Sequence, residues 1–554
     1  MATAVALPPR YYLDNFRRLC HTVEAQYGDL LQPGEMQLLQ AFYRLEPGAQ
    51  CLYLRLASRV GPWFRLSRLS YPEIGHLEGP LAALLDAGFV QRAQALGADE
   101  AGSLYTRAEL RQRFPDLLPA GRDKAADVAA LAAWVADASE QDAHSLLAAC
   151  AGDDVIIAPL HRDWLALLQL LFFGNRRQSL TEFILSDLGI ARYPPYALDR
   201  AHRLFATRDE VDDYLACAAL ADAYAELREA GDQDGLLALA RSLVGQAVQH
   251  PATEGRWWRL FNRVARQLER LDERELALTL YRRAQLPPAR ERQARVLEAE
   301  GQWPAVAALC EAMLAAPWSE EEREAAERIL PRARRQLGQA PAPRRRDHFA
   351  RLDLLLPPGE QGVERAAAQA LGAQWQAVHY VENGLINGLF GLAFWEQIFS
   401  PLRGAFHNPF QSAPADMFDG DFYPRRRAAI DARLAALAAG DVPTLLLQSF
   451  DANHGLQCRW LNWRLLSRPL LEQALAAIPA AHLLALWRRQ LFDPQAYRRG
   501  FPDLIAFGCE PGDYCMIEVK GPGDALQDSQ KRWLRIFAAE GIPAAVAWVQ
   551  WRDD

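Results

Sequence analysis

Asp503, Glu518 and Lys520 stand in the stretch FPDLIAFGCEPGDYCMIEVKGPGD, residues 501–524, among residues whose types belong in a buried sheet. Leu504–Phe507 is an apolar run, Glu510-Pro511-Gly512-Asp513 is a turn signal, and Tyr514–Val519 is a second run of strand-forming residues. A charge inside such a strand is costly unless it is paired or holds a metal. Glu518 and Lys520 are two apart, so both leave the strand on the same face. Two readings are open: an edge-strand ion pair with Asp503 as an unrelated cap, or a divalent-metal site with a lysine beside it. The second has a definite chemistry. Mg²⁺ and Mn²⁺ take hard oxygen ligands, and one or two carboxylates often suffice beside water and a substrate phosphate. Such an ion activates water and polarises a phosphodiester, and a neighbouring lysine orients the water or neutralises the transition state.

Those side chains need a frame. Residues 375–399, WQAVHYVENGLINGLFGLAFWEQIF, form an apolar stretch with a helical pattern that carries Glu382 among hydrophobic and small residues. LQDSQKRWLRIFAAEG, 526–541, is an amphipathic helix closing at Gly541, with Gln530 one turn in, and PAAVAWVQW is a last strand. The predicted order is helix with Glu382, strand with an end near Asp503, strand with Glu518 and Lys520, helix with Gln530, strand. That is the order of a restriction-endonuclease-like α/β core.

The chain is long enough for more than this core. Its 554 residues with 50% apolar content suit about three or four domains. A net charge of −8 excludes a uniformly basic nucleic-acid coat but leaves room for local basic faces. The eight cysteines form no CxxC pair, which argues against a zinc knuckle or a disulfide scaffold and fits a reducing compartment. MATAVALPPRYY lacks a leader pattern, and no run of about 18 apolar residues occurs. The expectation is a soluble cytoplasmic protein with no membrane partner.

Residues 1–100 are rich in arginine and aromatics, and Arg55, Arg59, Arg65 and Arg68 are placed to contact phosphates or to form a solvated face. Leu81–Val90 predicts a helix ended by Gly88 and passing into a short strand, as in winged-helix modules. In 105–131, Thr106 caps a helix, Pro115 and Gly121 break the chain, and Lys124 opens a second helix. This layout resembles the SAP module that binds DNA backbones, assigned to 101–150. Residues 151–340 predict nearly continuous helix in tetratricopeptide-like hairpins. Eleven arginines against five acids between Arg256 and Arg295 make one face there a candidate DNA-backbone surface. GQAPAPRRRD, 338–347, is a linker into a final domain at 350–554. His454 lacks a partner at metal-ligand spacing and is read as structural.

Pro502-Asp503, then fourteen residues, then Glu518-Val519-Lys520 is similar to the PD-(D/E)XK nuclease motif, and EVKGPGDALQDSQKRWL resembles its VRR branch. YYLDNF, QCLYLRLASRVGPWFRLSRLSYPEI, the HYVENG…LFGLAFW stretch and NPFQSAPADMFDGDFYPRRR resemble the Fanconi-associated nuclease family, in a bacterial form. The resemblance implies a DNA-binding N-terminal region, tetratricopeptide-like helices and a C-terminal nuclease. It further implies cutting of 5′ flaps and branched DNA, 5′→3′ degradation and repair of interstrand crosslinks. By the same resemblance Glu382 is a third metal carboxylate, with the carbonyl of Val519 as a fourth ligand, and Arg498 a phosphate contact; Gln530, one turn into its helix, is placed to position Lys520 or a phosphate. No Cys/His finger precedes YYLDNF, so recruitment through ubiquitin is not expected. Two alternatives stand beside this reading: a junction resolvase or restriction-type endonuclease, and a non-catalytic DNA-binding scaffold. The intact Asp-Glu-x-Lys set speaks against the scaffold.

Overall fold

Alternation within four fully buried residues explains how the sheet meets two cores at once: Ile505 and Phe507 point into one, Leu504 and Ala506 into the other. The structure, a computed structural model, describes residues 8–118, 121, 123–137, 154–176, 178, 191–340, 347–357 and 362–552. It forms two compact units, Met1–Ile190 and Ala191–Asp554.

In the first unit, helices Tyr11–Tyr27, Pro33–Arg44 and Pro47–Ala57 enclose a cluster built on Phe16, Phe42, Tyr53, Phe89 and Trp164. A three-stranded antiparallel sheet flanks them in the order β1 (Phe64–Arg65), β3 (Ile156–Pro159), β2 (Val90–Arg92). Helix Glu78–Asp86 stops as expected, and Gly88 at φ +73° turns the chain into β2. β3 was not foreseen: it returns from beyond the SAP-like region to become the middle strand. Thr106 caps helix Arg107–Arg113 in a capping box with Glu109, and helix Lys124–Asp137 follows. The rest of the SAP-like expectation, 138–150, lies outside the described residues, as does 341–346 of the linker.

The second unit opens with helical hairpins from Arg208 onward, and their last helix is α1 (Glu320–Gln336). A five-stranded sheet follows in the order β4-β8-β7-β6-β5: β4 (Ala350–Leu356), β5 (Ala377–Tyr380), β6 (Leu504–Phe507), β7 (Tyr514–Lys520) and β8 (Ala544–Trp551). β4, β8 and β7 are parallel, and β7, β6 and β5 antiparallel. Helix α2 (Val363–Leu371) covers one face with Ala367 and Leu371 over Ile517, Val519 and Ala547. The other face carries Met516 and Val546 against α3 (Gly384–Ala393), the helices between β5 and β6 that end in α4 (Pro494–Tyr497), and α5 (Asp528–Glu540). Among the described residues no single helix is long and apolar enough to cross a membrane.

Two sequence expectations change here. Glu382 is not inside a helix: Ala377–Tyr380 is strand β5, and the helix begins only at Gly384. Asp503 precedes its strand, β6, rather than closing it. A short run such as AVHYV next to an apolar helix satisfies both periods, and the pairing of Tyr380 with Leu504 decides it.

Candidate active site

β7 is the central strand, which is why a carboxylate and an amine two residues apart end up nearly dry: Glu518 is 1% exposed and Lys520 8%. Lys520 Nζ lies 2.9 Å from Glu518 Oε1, and Gln530 Nε2 donates to the same oxygen at 2.5 Å. Gln530 comes from the first turn of α5, where its Oε1 also accepts the Gln527 N–H at 2.8 Å. It therefore orients Glu518, a different partner from the lysine or phosphate expected. Glu518 Oε2 is buried with no hydrogen-bond partner among the described residues. A buried, unsatisfied carboxylate oxygen is rare in a folded protein and is the kind of hard donor a divalent cation takes.

Asp503 is tied to this strand and to Glu382. Its Oδ2 accepts the Val519 N–H at 2.9 Å, and its carbonyl accepts the N–H groups of Val381 (2.8 Å) and Glu382 (3.0 Å). Two other segments, Val381–Glu382 and the end of β7, are thus pinned to one residue. Glu382 sits in the left-handed region at φ +36°, a strained setting for a non-glycine residue that clusters at functional sites. Its carboxylate is exposed and held by Tyr380 Oη (2.8 Å) and Asn383 Nδ2 (3.1 Å), not by His379, which meets Gln473. Asn383 Oδ1 also accepts the Phe501 N–H at 3.2 Å, so it bridges the Glu382 turn to the segment that leads through Asp503 into β6. Glu382 therefore stands beside the buried pair rather than closing on it, and among the described residues no three His, Cys, Asp or Glu side chains converge at metal-holding spacing.

The electrostatics follow from burial. Glu518 is pushed up to about 7 by desolvation and then by the charge of Asp503, with Lys520 pulling it back and a carboxyl–carboxylate hydrogen bond to Asp503, formed when Glu518 is protonated, adding to the rise. Asp503 is also raised, by burial first, while the Val519 N–H and Lys520 oppose the rise and Glu364 and Glu382 add to it. Glu364, in the first turn of α2, and Asn383 were missed from sequence; neither has a motif signal, only its place once the strands are paired. A carboxyl raised above its unfolded value of about 4.3 contributes stability that is present below that value and lost as pH rises through about 7. In metal-free protein, Glu518→Gln is therefore expected to raise thermal stability, with the gain over wild type larger at pH 8 than at pH 5.5. The increment is on the order of 2 kcal/mol. Melting both proteins in chelator at the two pH values checks it; an equal gain at both would contradict the raised carboxyl.

The predicted arginines fare differently. Arg498 follows α4, its guanidinium 4.7 Å from the Phe418 ring, and burial together with Arg459 and Arg499 holds it below the usual arginine range. It has no carboxylate partner among the described residues, so three like charges there favour an anion. In the first unit Arg59 is exposed and donates to Tyr71 Oη at 3.1 Å. Arg65, by contrast, is already neutralised by Glu109 (2.7 Å) and Asp154 (3.0 Å) and lies over Tyr105. Within 256–295, Arg259, Arg266, Arg274, Arg290, Arg292 and Arg295 are ion-paired, while Arg263 and Arg282 are exposed with no carboxylate partner among the described residues. His454 packs against Phe450 and Trp463, as a structural residue would.

Comparison with known proteins decides the family. The family "FAN1, HTH domain" matches residues 10–91, and "VRR-NUC domain" matches 439–551. The Fanconi-associated nuclease 1 homolog of Pseudomonas aeruginosa is 37% identical, over 99% of this chain and 97% of that protein. The chain belongs to the Fanconi-associated nuclease family. The Arabidopsis thaliana homolog is 26% identical over 98% of this chain and 67% of its own. A crystal structure of paFAN1 bound to 5′ flap DNA with a 2-nucleotide flap and a gap superimposes with a TM-score of 0.83 at 38% identity. It covers 99% of this chain and all of that one. Its counterpart with a 1-nucleotide flap gives 0.80 at 35%. As a Fanconi-associated nuclease with a VRR-NUC domain, the protein is a DNA nuclease, and the bacterial form expected from sequence has a bacterial relative along its whole length.

Proposed function

We propose that the protein cuts branched DNA at 5′ flaps and degrades it 5′→3′ by hydrolysing phosphodiesters at the Asp503–Glu518–Lys520 site, in the repair of interstrand crosslinks. The observation that carries the chemistry is the open, buried Oε2 of Glu518 beside Asp503 and Lys520. Asp503, Glu518 and the carbonyl of Val519 would hold a Mg²⁺ or Mn²⁺ ion, with Glu382 joining them once its carboxylate turns from Tyr380 and Asn383; bound there, the ion would activate water and polarise the scissile phosphate. Gln530 and Lys520 both engage Oε1, so they hold the Glu518 carboxylate in one orientation with Oε2 free. Lys520 brings a cation to the place where a phosphate oxygen gains charge. Arg498, with Arg459 and Arg499 beside it, attracts a backbone phosphate. Arg59 offers an exposed guanidinium to duplex DNA, and Arg65 anchors the fold that presents it.

The flap as substrate is supported by the two paFAN1 complexes with 5′ flap DNA. In domain terms the reading assigns 1–100 to a DNA-binding region, 101–150 to a SAP-like module and 350–554 to the nuclease; of the 151–340 expected as tetratricopeptide-like helices it keeps 191–340, because β3 ties the preceding residues to the first unit. Its place of action is the bacterial cytoplasm, with the DNA. End-labelled 5′-flap, 3′-flap, four-way and linear duplexes, with and without Mn²⁺, test it. Cleavage is expected only with the ion, and the 5′ flap faster than linear DNA by at least about tenfold, roughly 1.4 kcal/mol of discrimination. Preference for the four-way junction would favour a resolvase instead.

A further inference from the structure

Helix α1 closes the helical hairpins, yet its first two turns are fastened to the elements of the nuclease site. The Glu320 N–H donates to Asp493 Oδ2 at 2.9 Å, and Asp493 Oδ1 accepts the Ala496 N–H of α4 at 2.9 Å. Glu324 accepts from Arg532 of α5, Nε at 2.8 Å and Nη2 at 3.1 Å. Arg532 is 8% exposed, and its Nη1 reaches the carbonyl of Ala496 in α4 at 3.4 Å. α1 is bound with equal care on the hairpin side. Glu322 pairs with Arg290 at 2.8 Å, Arg332 with Glu298 at 2.6 Å and Arg334 with Glu311 at 2.9 Å. One helix thus joins the hairpins to two segments that matter: Arg498 directly follows α4, and Gln530 lies two residues before Arg532 on α5.

A buried ion pair is weak evidence for stability, since an apolar pair of similar volume often holds two helices as well. What an Arg–carboxylate fork supplies is a fixed geometry, because both guanidinium nitrogens must meet both oxygens. We propose that Glu324 is a positioning residue of the nuclease: through Arg532 it sets the rotation of α5, and so the place of the Gln530 amide on Glu518 and the direction in which the open oxygen points. This rests on the metal-nuclease reading of Glu518.

The test uses the full chain and three variants: Glu324→Gln, the apolar pair Glu324→Leu with Arg532→Met, and Arg334→Gln, which breaks only the far-side pair with Glu311. Single-turnover cleavage of a 5′ flap at saturating protein, flap affinity, melting temperature and Mn²⁺ binding by calorimetry without DNA are measured together. Both Glu324 variants are expected to cut about tenfold or more slowly, the scale of a small misplacement of a catalytic group. They should also bind Mn²⁺ about threefold or more weakly, with flap affinity unchanged. The apolar pair keeps its melting temperature, and Arg334→Gln keeps its rate. A folded apolar-pair variant with wild-type rate and Mn²⁺ affinity overturns the proposal. Glu518→Gln run alongside separates the two readings: if it still cuts, the site itself is wrong, whereas an inactive Glu518→Gln beside a fully active Glu324→Gln removes the brace alone.

Discussion

Glu518→Gln and Asp503→Asn are each expected to lower flap cleavage by about 10³-fold or more, roughly 4 kcal/mol of transition-state stabilisation. Flap binding should stay within about threefold of wild type. Glu518 is buried and Asp503 half-buried in a site with few other anions, and each is already fixed for its task. Asp503 is pinned by the Val519 N–H, and Glu518 by Lys520 and Gln530 on one oxygen only. Gln and Asn keep those hydrogen bonds and the volume, so the loss reports the missing charge and not a collapsed sheet. On the proposed reading affinity comes from phosphate contacts spread over the protein, and removing an anion from the site reduces repulsion of the DNA. Single-turnover cleavage with Mn²⁺ and fluorescence anisotropy in chelator give the two numbers. Wild-type cleavage by either variant at saturating Mn²⁺ would falsify the assignment of both residues.

The motif was legible because it is local. Asp503, Glu518 and Lys520 belong to one hairpin, so the turn Glu510–Asp513 and the period of two place them without knowledge of anything else. Gln530 was readable one step further, through the strand–helix order, though its bond to Glu518 instead of Lys520 needed the packing of α5. Glu382 was reachable only by resemblance. Its carboxylate is brought in by backbone bonds from Val381 and Glu382 to the carbonyl of Asp503, and no residue type encodes a partner 121 positions away. The same limit explains Arg65. Its neutralising acids, Glu109 and Asp154, are 44 and 89 residues distant, so composition showed a cation where the fold has a closed ion pair. β3, β4 and β5 were invisible for a related reason: β3 and β5 are only four residues each, and β4, mostly exposed, is defined by its pairing with β8.

β7 being central rules out the edge strand, and Lys520 separates what remains of the two readings, because a plain ion pair and a reacting lysine make opposite demands on a neutral replacement. Lys520→Met keeps the buried stem and removes the charge. If the lysine only balanced Glu518, its loss would act through that carboxyl: without the cation, Glu518 titrates still higher than about 7, and a cation must displace a proton to bind. That part of the defect is lost as pH rises, since above the raised value Glu518 is ionised without help. If Lys520 also neutralises charge on the phosphate in the transition state, a second part remains when Glu518 is fully ionised and Mn²⁺ saturates. The expected result is a Mn²⁺ half-saturation raised more at pH 6.5 than at pH 8.5. At pH 8.5 with saturating Mn²⁺ a residual rate loss of about 10²-fold should persist, the usual scale for removing one preorganised transition-state contact. Cleavage rates across a grid of pH and Mn²⁺ concentration resolve both parts. Full recovery of Lys520→Met at high pH and saturating Mn²⁺ would return the lysine to the ion-pair reading and leave the transition state to the metal and the arginines.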